Sequence, residues 1–172
     1  MKVLIVSDSH GLTSELSQIR EIHPDMDVMI HCGDSELQAD DESLKGYAAV
    51  RGNCDFDADF PEDRIEEAGG FRFFVTHGHK YSVKSTLMNL SYRARELKAD
   101  IVCFGHSHSL GAEMSEGILF INPGSIRLPR GRNERTYVIL ENRGKDVTLD
   151  VYDFSNGKIP NLTQKFSLVK SD

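Results

Sequence analysis

The chain lacks most of what would set it apart from ordinary globular proteins. Among its 172 residues there are only three cysteines, Cys32, Cys54 and Cys103. Their number is odd and no CxxC pair occurs, which speaks against a disulfide framework. Cys32 and Cys103 lie in apolar runs and read as small core hydrophobes. Long hydrophobic runs are also missing. None approaches the ~18 residues of a membrane span, and Met1-Lys2 leads straight into an apolar strand without a signal peptide. No membrane partner and a cytoplasmic location are therefore expected. Positive charge is in deficit, with 20 Lys and Arg against 27 Asp and Glu and a formal net charge of −7. Non-specific nucleic-acid affinity comes from basic side chains neutralising phosphates, so no nucleic-acid partner is expected. Repeats and low-complexity segments are absent. A chain this long can bury roughly 70% of its unfolded surface without staples, and a single domain over residues 1–172 is expected, with a polar tail over about 155–172.

What is present begins with Val3, Leu4, Ile5 and Val6, an apolar run that reads as a strand buried on both faces. It stops at Asp8-Ser9-His10, whose i, i+2 spacing points a carboxylate and an imidazole the same way from an extended backbone. Leu12, Leu16, Ile19 and His23 then form a helical stripe that Thr13 is placed to cap and Pro24 ends. His23 reads as structural. The run 28–32 ends in Gly33-Asp34, and His31 inside it reads as packed. Strand, helix and strand in this order make a βαβ unit with a parallel sheet, which brings Asp8 and Asp34 to one edge. A short helix is expected over 36–45. The run 47–50 ends in Gly52-Asn53, and a hairpin over 65–76 turns at Gly69-Gly70 and runs into His77-Gly78-His79. A second amphipathic helix over 84–98 precedes a strand over 100–104 ending in Gly105-His106-Ser107-His108. The runs 118–121, 136–140 and 147–152 read as a β meander. Two acidic stretches, 38–43 and 55–67, read as solvated loops, and Arg127, Arg130 and Arg132 read first as a solvated basic loop and second as contacts for an outer phosphate.

Five strand ends thus carry Asp8 with His10, Asp34, Asn53, His77, and His106 with His108. In open α/β sheets such ends gather at one cavity. Seven oxygen and nitrogen donors exceed what one first-row cation needs, so two cations sharing a carboxylate is the economical reading, with Asp34 the natural bridge. The ordered set Asp-x-His, Gly-Asp, Gly-Asn, His-Gly and Gly-His-x-His closely resembles the calcineurin-like metallophosphoesterases, most of all their small bacterial and archaeal phosphodiesterases, over residues 3–122.

The resemblance implies an α/β fold, a four-layer α-β-β-α sandwich with two mixed sheets. It also implies two divalent cations (Mn²⁺ or Ni²⁺ first, Zn²⁺ or Fe²⁺ next), with Asp8, His10 and His108 on one, Asn53, His77 and His106 on the other, and Asp34 between them. The implied activity is hydrolysis of a small phosphoester, most of all a phosphodiester, by a water or hydroxide shared between the cations, with Asp34 and Asn53 in the catalytic set. Cys54 stands where many members carry a histidine assigned to transition-state stabilisation or leaving-group protonation. A thiol replaces imidazole poorly there. His79 is either a partial substitute or a loop residue. Asn122-Pro123-Gly124-Ser125 matches a segment common after this core, where Ser125 reads as part of a tight turn before any direct role. Two rivals stand beside this reading: a non-catalytic scaffold of the retromer-subunit type, and a nuclease or protein phosphatase of the same superfamily. The oligomeric state is left open, a homo-oligomer included.

Overall fold

The apolar run at the start of the chain forms β1 (Lys2–Val6). Successive side chains of a strand point to opposite faces, so Val3 and Ile5 enter one hydrophobic core while Leu4 and Val6 enter another. All four are fully buried, at about 1.5–3 kcal/mol of burial free energy per side chain. The computed structural model describes residues 1–169. After β1 come α1 (Ser14–Ile22), β2 (Val28–His31), β3 (Tyr47–Ala49), β4 (Asp63–Ala68), β5 (Phe71–Thr76), α2 (Met88–Glu96), β6 (Ile101–Cys103), β7 (Gly111–Ser115), β8 (Ile118–Asn122), β9 (Thr136–Arg143), β10 (Asp146–Asp153), β11 (Gly157–Lys158) and β12 (Gln164–Ser167).

Two mixed sheets result. One has the order β11-β10-β9-β1-β2-β3, with β12 also on β10; the other has β4-β5-β6-β8-β7. The core between them takes alternate residues of both, among them Val3, Ile5, Phe73, Val75, Ile101, Cys103, Leu119, Ile121, Val138 and Leu140. The outer faces are covered by the two helices: Leu16 and Ile19 of α1 pack with Leu4, Val6 and Tyr137, while Leu90 and Ala94 of α2 pack with Phe74, Val102 and Phe120. The layers run α-β-β-α, as the resemblance implies. No helix among the described residues is long and apolar enough to cross a membrane.

Several sequence expectations are corrected. Thr13 sits at the N-cap of α1, but its hydroxyl makes no cap bond. The helix expected over 36–45 is reduced to one 3₁₀ turn, Glu42–Leu44. Its backbone N–H groups are claimed elsewhere, Glu36 N by Asp55 Oδ1 (2.8 Å) and Ala39 N by Asp57 Oδ2 (2.8 Å). The acidic stretch that supplies these carboxylates is accordingly not a solvated loop throughout, since Asp55 is buried. The expected meander is split between sheets: β8 runs parallel to β6, and β9 runs antiparallel to β1, so of the three runs read as a meander the last two, β9 and β10, pair as a hairpin while β8 lies in the other sheet. The edge strand β7 was not expected because its exposed residues show no apolar alternation. The same holds for β11 and β12 in the tail. Residues 170–172 of that tail lie outside the described residues.

Candidate metal centre

Parallel pairing of β1 with β2 sets Val6 opposite His31, so the loops that follow leave the sheet side by side. They stay zipped beyond the strands, with Asp8 N donating to Gly33 O (3.0 Å), His10 N to Asp34 O (2.9 Å) and Gly11 N to Ser35 O (2.8 Å). Across the inter-sheet core, Gly105 N donates to His77 O (3.0 Å) and joins the loops after β5 and β6 in the same way. The C-terminal ends of strands from both sheets therefore open on one place. This is where an α/β sheet presents ligands.

The carboxylate and imidazole donors expected there do converge. Asp8 Oδ1 lies 3.0 Å from His77 Nε2, 3.3 Å from His108 Nε2 and 3.8 Å from His10 Nε2. Asp34 Oδ2 lies 3.2 Å from His77 Nε2. Two groups of donors result, Asp8 with His10 and His108, and Asp34 with His77 and His106, the atoms of each lying within 4.8 Å of one another. Asp8 Oδ1 is the oxygen that approaches imidazoles of both groups. Asn53 is exposed at its loop tip, and its amide faces the Cys54 thiol at 3.7 Å. Cys54 N donates to Asp34 Oδ1 (2.8 Å), and His79 Nδ1 stands 3.1 Å from His77 Nδ1.

The backbone is strained where these donors sit. Nine non-glycine residues have positive φ among those described, and six of them are Asp8, His10, Asp34, Glu36, His106 and His108. Each such residue costs on the order of 1–3 kcal/mol, and strain of this kind clusters at working sites. Two glycines permit the close packing. A Cβ on Gly52 would collide with Asp34 Oδ1, and one on Gly105 with Ser7 Oγ and Asp8 Oδ2.

The donor chemistry fits divalent cations. His108 Nδ1 donates to Leu128 O (2.8 Å), and His10 Nδ1 stands 2.8 Å from Glu36 Oε1. In the neutral rings these bonds leave lone pairs on both Nε2 atoms, which face each other at 3.2 Å. That contact is repulsive unless positive charge joins it. Burial pushes the Asp8 carboxyl up, but hydrogen bonds from His108 and His77 and the His77 charge hold it well below the usual carboxylate range. Burial opposes charge on His77 too, yet the hydrogen bonds and charges of Asp34 and Asp8 raise it to about 9. A pocket that keeps a buried imidazole protonated this far favours positive charge, and a cation competes for the same position. Burial and the His77 charge lower His106 to about 4, while the Asp8 hydrogen bond raises His108. Burial and the Asp34 charge push the Cys54 thiol up to about 11.

Other residues support the site from outside the seven-donor set. Asp55 accepts from Asp34 N (2.9 Å), Glu36 N (2.8 Å) and Gly52 N (2.6 Å). Ser125 Oγ donates to Asp8 O (2.8 Å) and accepts from Leu128 N (2.8 Å), so its place is under the Asp8 loop. Asn122 Nδ2 donates to Gly105 O (3.2 Å) and Ser107 Oγ (2.9 Å) beneath the second loop. Arg127 donates to His10 O and Arg132 pairs with Glu134, so these two are committed to loop structure. His23 and His31 are structural as expected: His23 Nε2 meets Tyr137 OH at 2.8 Å, and His31 is fully buried between Ser9 Oγ and Gly33 N.

The layered fold and this donor cluster define a metallophosphoesterase-type protein, and comparison with known proteins agrees. Residues 1–145 match the family model of the calcineurin-like phosphoesterase superfamily domain, and the chain belongs to that superfamily. It is 49% identical over 169 residues to the probable metallophosphoesterase YsnB of Bacillus subtilis, covering 98% of this chain and 100% of that one. It is 28% identical over 172 residues to the phosphodiesterase YfcE of Escherichia coli, covering 83% of this chain and 88% of the relative. A crystal structure of a conserved phosphoesterase-like protein of Streptococcus pneumoniae TIGR4 superposes with a TM-score of 0.92 at 34% identity, covering 96% of this chain and 97% of that chain.

Proposed function

We propose that the protein is a phosphodiesterase that hydrolyses small phosphodiesters with the help of two divalent cations. The observation that carries this reading is the pair of donor groups joined through Asp8 Oδ1, each combining a carboxylate with two imidazoles. Asp8, His10 and His108 would hold one cation, and His77 and His106 the other, with Asn53 assigned to the second by its place in the family motif and Asp34 between the two. When bound, the cations supply Lewis-acid charge to the phosphoryl oxygens and lower the pKa of the attacking water. The protein's own part is positional. Asp8 is held by Ser7, Ser125 and His106 N, and Asp34 by Cys54 N, so the donors need no rearrangement as charge develops. Cys54, beside Asn53, is a weak proton donor, which favours esters whose leaving group departs unaided. The name of YfcE as a phosphodiesterase supports a diester substrate. Small phosphoesters are preferred over nucleic acid because of the acidic balance of the chain.

The test is a hydrolysis panel of aryl phosphodiesters, aryl monoesters and cyclic nucleotides on chelator-stripped protein reloaded with Mn²⁺, Ni²⁺, Zn²⁺ or Fe²⁺. Turnover of an aryl diester that depends on reloading, and exceeds that of alkyl esters of the same charge, is expected. Equal rates with and without cation would overturn the proposal.

A further inference from the structure

Glu36 lies outside the motifs that mark this superfamily, yet its carboxylate is aimed at the centre. Its Oε1 stands 2.8 Å from His10 Nδ1, on the ring edge opposite the donor group. The other ring nitrogen, Nε2, faces His108 Nε2 at 3.2 Å and Asp8 Oδ1 at 3.8 Å. The carboxylate is held in place by two features. The residue adopts φ +56, a conformation that side-chain-bearing residues rarely take, and its N–H is fixed by Asp55 Oδ1 at 2.8 Å. A carboxylate so close can only accept from the imidazole, which places the ring proton on Nδ1 and leaves the Nε2 lone pair for a cation. Neutral imidazole has two tautomers, and a hydrogen bond at one nitrogen decides which nitrogen is free to ligate.

We infer that Glu36 is the positioning residue of His10, selecting the tautomer that exposes Nε2 and so setting the affinity of the cation group formed by Asp8, His10 and His108. His108 has the equivalent support from a carbonyl, Leu128 O, which has no charge to add. Of the two, only His10 has a carboxylate on its Nδ1 edge, which orients the ring and fixes its tautomer through a charged acceptor. The inference rests on the proposed two-cation reading. A rival use of the same geometry is a third cation held by His10, Glu36 and Cys54, whose donor atoms lie within 4.8 Å of one another.

Three variants, Glu36→Ala, Glu36→Gln and Glu36→Gly, are compared with the parent protein. The first readout is the ¹⁵N spectrum of the His10 ring in chelator-treated protein, assigned by its loss in His10→Ala. Nδ1–H is expected in the parent and in Glu36→Gln, whose amide oxygen still accepts, and a shift toward Nε2–H in Glu36→Ala and Glu36→Gly. The second is cation affinity by chelator competition, with one of two sites weakened about 10- to 100-fold in the Ala and Gly variants and less in Gln. Glycine relieves the positive φ, so Glu36→Gly should melt no lower than the parent in chelator while still losing cation affinity. A purely structural role would not separate the two. Unchanged tautomer and affinity in Glu36→Ala would overturn the inference while leaving two-cation binding intact. A parent protein that binds fewer than two cations would instead remove the reading on which it rests. A third cation per chain that disappears in Glu36→Ala would also overturn it, in favour of the rival.

Discussion

At the scale of single residues, the site depends on side chains whose two ends have different jobs. Asp34 offers one oxygen to Cys54 N and the other toward His77, and the proposed function assigns it to both cations. Asp34→Ala is therefore expected to lose both, whereas His108→Ala should weaken one by at least about 10- to 100-fold, the loss that removal of even an outer partner causes. Metal analysis of the folded variants decides between them. Two cations per chain retained in Asp34→Ala would remove its bridging role and leave Asp8, whose Oδ1 approaches both groups, as the better candidate.

At the scale of elements, the loops after β2 and β3 act as one unit because Asp55 ties them together. Its carboxylate satisfies three backbone donors, Asp34 N, Glu36 N and Gly52 N, and hydrogen bonds to a charged acceptor contribute about 1.5–3 kcal/mol each before non-additivity. Asp55→Ala should destabilise the protein by about 3 kcal/mol in urea unfolding with chelator present, and should weaken cation binding as the Asp34 loop relaxes. Asp55→Asn, which keeps one acceptor oxygen, should fall between. An unfolding midpoint equal to that of the parent would show that water replaces the carboxylate without penalty.

At the scale of the whole molecule, the buried histidine that ends β2 sets an acid limit on the fold. His31 is fully buried with Nδ1 accepting from Gly33 N. Burial lowers its pKa from 6.5 to about 4, with the charges of Asp8 and Asp34 offsetting part of the effect. The unfolded chain thus takes up this proton at higher pH than the folded one. The stability that this group contributes is present above about 6.5 and declines as pH falls toward 4, by about 3 kcal/mol. Urea unfolding in chelator across that window should show the decline, and the slope should flatten in His31→Gln even though that variant starts less stable. An identical slope in both proteins would assign the acid sensitivity to other groups.

How much of this was legible beforehand follows from which interactions are local. Strands buried on both faces, such as β1 and β6, announce themselves as apolar runs, and the polar residues that end them follow directly, so Asp8, His10, Asp34, His77, His106 and His108 were all readable as donors at strand ends. The helices read from their stripes were found with frayed limits, α2 beginning at Met88 where the pattern suggested 84. Edge strands β7, β11 and β12 were not legible, since a strand that buries little carries no alternation. Nor was the separation of β8 from β9, because strand runs alone do not say which sheet receives them. The failed helix over 36–45 has the same origin: carboxylates from a distant loop took its backbone donors. What the sequence by itself determined was which carboxylates and imidazoles stand at strand ends and the layered α/β character, both written in local residue type and period. Only the tertiary structure decided the partners 20 to 120 residues away that hold those donors in strained positions, Asp55 under Asp34, Ser125 under Asp8 and Glu36 behind His10, because a hydrogen bond between distant segments leaves no pattern in either one.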